Sequence, residues 1–138
     1  MNSEILFRDI NGAPVRIGDT VICRSSDPCL EWYENNTAYR VRGYNAARQC
    51  AELVNDYFCA ECAPGECEKF TPLKDLLDPD AAYAANNIRT AIDNLSTFAS
   101  YFSSSRSVPY DFRYKVSAMA QWLSTQFELA LAEAYRQS

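Results

Sequence analysis

The chain contains no histidine and only 4 glycines among its 138 residues. The first absence removes Ser–His and Cys–His nucleophile pairs, imidazole proton transfer and imidazole metal ligands together. The second leaves no glycine-rich phosphate loop. Long apolar runs are also missing, since the longest span a few residues against the ~20 needed to cross a bilayer. The opening Met1-Asn2-Ser3-Glu4-Ile5 has neither the basic nor the apolar region of an export signal. Together these absences predict a cytoplasmic protein with reduced cysteines, no membrane partner and no catalytic apparatus. Carboxylate pairs occur at Glu66/Glu68 and Asp78/Asp80, but nothing in the sequence places either pair in a shared cleft.

What is present describes a folded chain. Hydrophobic residues make up 48% and charged residues 22%, a composition that suits one compact domain or two small modules. The net charge is −5 and is unevenly placed. Residues 1–78 carry 8 Lys/Arg against 13 Asp/Glu, whereas residues 79–138 carry 5 of each. The acidity therefore belongs to the first half, where it gives no bulk help in approaching nucleic acid or an anionic membrane. It serves solubility, meets a basic partner or mimics nucleic acid, and the loop acids Asp27, Glu31 and Glu34 are the candidates for such a contact.

Short β-type stretches fill the first half. Ile5-Leu6-Phe7 precedes a turn at Asp9–Gly12, and Val15 and Ile17 lead into a Gly18-Asp19 turn. Strands follow around Val21–Cys23, over Ala38–Tyr44, over Ala51–Asp56 and over Cys67–Leu73, the last an edge because of Pro72. Val15 to Val21 with its Ile-Gly-Asp-x-Val core, Tyr39 to Val41, Leu53 to Asp56 and Phe70 to Leu73 resemble the small SH3-like barrels of short phage and mobile-element proteins. The resemblance covers residues 14–75, and the cysteine-rich insert Phe58–Glu66 departs from it. It implies a fold and a setting. In that setting the protein is a phage or mobile-element accessory that binds and inhibits or modulates a host protein, as an anti-defence or anti-CRISPR inhibitor does.

At Asp78-Pro79 the period changes. Asp78 can cap and Pro79 suits a first helical position. Ala84, Ile88, Ala91, Leu95, Phe98 and Phe102 then follow at alternating spacings of four and three, one helical face over about 80–102. After a serine-rich loop, Phe112, Val116, Met119, Leu123, Gln126 or Phe127, and Ala130 form a second stripe over about 110–136. The predicted class is α+β: residues 1–77 an SH3-like antiparallel barrel, residues 78–138 an antiparallel helical hairpin.

Three sets of residues are candidates for function. Trp122 and Leu129 lie off the main stripe of the second helix, where they either pack on the barrel or anchor a host protein or a second copy. Arg40, Arg42 and Arg48 with Tyr44 form the nearest thing to a basic, aromatic nucleic-acid face, the alternative being a solvated strand. Cys59-Ala60-Glu61-Cys62 is a C-x-x-C, and with Cys50 and Cys67 it offers four thiolates for a structural zinc. Buried free thiols and disulfides, including Cys23 and Cys29, are the competing states.

Overall fold

Val21 with Cys23, Tyr39 with Val41 and Ala51 with Leu53 repeat every second residue, so each pair points to one side of its strand. In the computed structural model these side chains form the core of an antiparallel sheet, every one of them 2% exposed or less. The structure describes residues 4–25, 35–55, 59–73, 78–101 and 110–136. The chain divides into two compact units, 1–71 and 72–138, and its class is α+β.

Among the described residues the first unit holds seven short strands: β1 (Phe7–Arg8), β2 (Pro14–Val15), β3 (Thr20–Cys23), β4 (Ala38–Asn45), β5 (Cys50–Val54), β6 (Cys59–Cys62) and β7 (Cys67–Lys69). β1 and β2 form a two-stranded ribbon. The other five make one antiparallel sheet in the order β6-β5-β4-β3-β7. β6 and β7 occupy opposite edges of that order, yet only Ala63 and a 3-10 turn, Pro64–Glu66, join them. Four strand spacings amount to ~19 Å. The five steps from Cys62 to Cys67 span at most ~17 Å even when fully extended, and this connection is coiled. The sheet therefore curls, and Cys62 comes to lie against Cys23 with their Sγ atoms 2.9 Å apart.

The turn between β1 and β2 closes the outer edge of β7. Gly12, at φ 81°, supplies the left-handed backbone of that turn. Ile10 donates its N–H to the Cys67 carbonyl, and the Asp9 carboxylate accepts from three backbone N–H groups: Asn11 at 2.9 Å, Ala13 at 2.8 Å and Lys69 at 2.7 Å. Burial pushes the Asp9 pKa up, but these donors and the Lys69 charge outweigh it and hold the carboxyl below its ordinary 3.8.

Among the described residues the second unit holds two helices, α1 (Pro79–Tyr101) and α2 (Tyr110–Arg136). Asp78 caps α1, its carboxylate accepting from the Asp80 N–H at 3.0 Å. The apolar stripes expected from spacing are displaced. On α1 the covered positions are Ala85 and Ile92, while Ala84, Ile88, Ala91 and Phe98 are exposed. On α2 they are Ala118, Ala120 and Thr125, while Phe112, Met119, Leu123 and Ala130 are exposed. Most of the covered positions carry small side chains, which allow close approach, whereas the bulkier stripe residues are exposed or half-buried. Among the described residues no helix is long and apolar enough to cross a membrane.

Candidate functional site

Ile88, Ala91 and Leu95 recur at three and four residues along α1, so they form one wall of a groove. Leu123 and Phe127, four apart on α2, form the facing wall, with Ile92 between them. The groove has a volume of about 470 Å³ and carries no charged lining residue. Phe98 at 46%, Phe112 at 50% and Met119 at 46% exposure extend the two apolar strips beyond it. A contiguous exposed apolar surface of this kind marks a binding surface far more often than scattered hydrophobics do.

An ion pair fixes the groove's shape. The Arg89 guanidinium meets Glu128 through two hydrogen bonds, Nε to Oε1 at 2.6 Å and Nη2 to Oε2 at 3.1 Å. It also donates to the Leu73 carbonyl and to Asn86, and lies 5.9 Å from the centre of the Phe127 ring. Glu128 raises the Arg89 pKa further, so the guanidinium stays charged. Spacing alone could not reveal this tie, because its partners lie 39 residues apart.

Trp122 and Leu129 are half-buried on α2. Neither belongs to the groove wall, which lies on the exposed face beside them. Asp27, Glu31, Glu34 and Cys29 lie outside the described residues.

On β4, Arg40 and Arg42 are exposed and share a face, but Tyr44 does not join them. A bulge between Val41 and Gly43 shifts the register, so the alternation changes sign and Tyr44 turns to the core side. There its ring packs against Phe7, with centroids 5.7 Å apart. Arg48 is held by Glu61 at 3.0 Å. The bulge thus separates the aromatic from the arginines that a stacking site would need.

The four cysteines expected around a zinc ion are not brought together. Cys59 and Cys62 are the two ends of the extended strand β6, one exposed and one buried. Three residues of strand separate them by ~10 Å, where thiolates 2.3 Å from one zinc ion would be under ~4 Å apart. Cys50 instead donates to Glu61 at 2.9 Å, and Cys62 and Cys67 are buried next to Cys23. No group of three or more Cys, Asp or Glu among the described residues is arranged to hold a metal ion. The hydrogen bond to Cys62 and burial push the Cys23 thiol far up. The Cys23 bond draws Cys62 down, but the Cys67 bond and burial prevail and push it up to about 12. These are protonated thiols packed as small apolar groups. Alkylation of the native protein, mapped by peptide mass spectrometry, is accordingly expected to modify Cys59 readily and to spare Cys23, Cys62 and Cys67. Prompt native modification of Cys62 would contradict this arrangement.

No protein family, no curated protein and no solved structure matches this chain.

Proposed function

We propose that the protein is a non-enzymatic binding module whose contact surface is the groove between α1 and α2. The observation that carries this is the pair of uncharged strips, with Ile88 at 45% and Leu123 at 39% exposure on facing walls. Leaving such surface in water is unfavourable by ~25 cal/mol per Å², so a partner that covers it gains that energy. The first unit adds a finer proposal, an SH3-like barrel. Its support is the order β6-β5-β4-β3-β7 with a 3-10 turn carrying the chain from one edge to the other. That resemblance in turn supports a cytoplasmic setting and a host protein as partner.

The test is a comparison of two baits in lysate of the host cell, the natural chain and Ile88→Glu/Leu123→Glu. Both positions are exposed, so helix content should be unchanged by circular dichroism. Expected is a protein recovered in near-stoichiometric amount by the natural chain and at least tenfold less by the variant. Equal recovery by both would move binding off the groove, and nucleic acid recovered in place of protein would favour Arg40 and Arg42.

A further inference from the structure

We infer that the groove between α1 and α2 is occupied, in the free protein, by the same groove of a second copy of this chain, so that two helix pairs close into a four-helix bundle. This rests on the groove being a protein-binding surface. It goes further by naming what covers that surface before any other protein is met.

Three observations select a second copy. The first is length. α1 has 23 residues and α2 has 27, or roughly 35–40 Å of helix each at 1.5 Å per residue. The uncharged positions run along much of that length, from Ala84 to Phe98 on α1 and from Phe112 to Ala130 on α2. A surface shaped as two parallel ridges with a trough between them suits another pair of ridges, which is how helix pairs assemble into bundles.

The second is area. Ile88, Phe98, Phe112, Met119 and Leu123 are between 39% and 50% exposed. At roughly 200 Å² per large side chain they offer on the order of 450 Å². Exposed Ala84, Ala91 and Ala130 and half-buried Leu95, Val116 and Phe127 lie between and beside them. The strip thus approaches the ~800 Å² per partner of a stable interface.

The third is charge. Residues 79–138 carry 5 Lys/Arg and 5 Asp/Glu, so two copies of this region meet without net repulsion, and the acidity resides in residues 1–78. None of the strip residues is charged. A two-fold axis through the groove sets Leu123 and Ile88 of one copy against the same strips of the other, the self-complementary arrangement that closed dimers require.

The experiment is sedimentation equilibrium of the full chain over a wide concentration range, for the natural sequence and for Ile88→Glu and Leu123→Glu separately. Expected is a two-chain mass for the natural protein and at least hundredfold weaker self-association for each variant. If either variant loses helix content, Ala91→Glu, at an exposed position of the same wall, replaces it. A one-chain mass for the natural protein at all concentrations would overturn the inference, as would a dimer unaffected by the groove variants. A one-chain mass together with groove-dependent capture from lysate would end the dimer and leave the binding module standing. Loss of both would end both.

Discussion

Asp9→Ala is expected to cost about 3 kcal/mol of folding stability, a large share of what a domain of this size possesses. Asp9 is 7% exposed as a residue, and its carboxylate gives the Asn11, Ala13 and Lys69 N–H groups their acceptor. Its removal leaves three backbone donors without their acceptor at a part-buried junction. Asp9→Asn retains one oxygen but sets an NH₂ among backbone donors, so about half to two-thirds of that loss is expected. The same residue shapes the response to acid. Its folded pKa lies below the ordinary 3.8, so in that interval the unfolded chain binds more protons than the folded one. The Asp9 contribution is thus complete above the unfolded value and is lost as pH falls through the folded value. Urea midpoints measured between neutral and strongly acidic pH should decline less steeply for Asp9→Asn than for the natural protein. Parallel declines would mean that Asp9 titrates alike in both states.

Arg89→Ala is expected to destabilise the helical unit by about 2–3 kcal/mol. The Glu128 side chain is 12% exposed and Arg89 is 26% exposed, so truncating the arginine strands a mostly covered carboxylate. The Phe127 ring also loses the guanidinium that lies over it. The double replacement Arg89→Met/Glu128→Leu should recover most of the loss, because it removes both charges and keeps the volume. Thermal unfolding followed by far-UV circular dichroism measures all three proteins. An Arg89→Ala change within about 0.5 kcal/mol of the natural protein would show that water reaches Glu128 well enough to replace the pair.

The elements legible in the sequence are those whose residues carry their own periodicity. β3, β4 and β5 are marked by Val21, Tyr39, Val41 and Leu53, and the first turn of α1 by Asp78-Pro79. β6 was not legible. Cys59-Ala60-Glu61-Cys62 contains no β-branched or aromatic residue, and its extension comes from pairing with β5. That is also why a C-x-x-C resembling a metal knuckle is a strand instead. The bulge after Val41 has no signature beyond Gly43, yet it decides where Tyr44 points. On the helices spacing marks the bulky apolar residues, while the covered positions, Ile92 apart, carry small side chains. The groove follows from that difference, because residues of both stripes form its walls. The Cys23–Cys62 and Arg89–Glu128 contacts are each 39 residues apart in the chain, a separation at which spacing carries no information.

The curled sheet also sets an order in time. β3 pairs with β4, β4 with β5 and β5 with β6, so these strands can form as successive hairpins between neighbours in the chain. β7 must return to β3, and the Asp9–Lys69 bond that seals its outer edge joins residues 60 apart. Contacts that close the longest loop pay their entropy last. The seal is therefore expected to be absent when the chain crosses its folding barrier. Asp9 would then act as a latch on the finished protein: its loss should raise the unfolding limb of the chevron and leave the folding limb nearly in place.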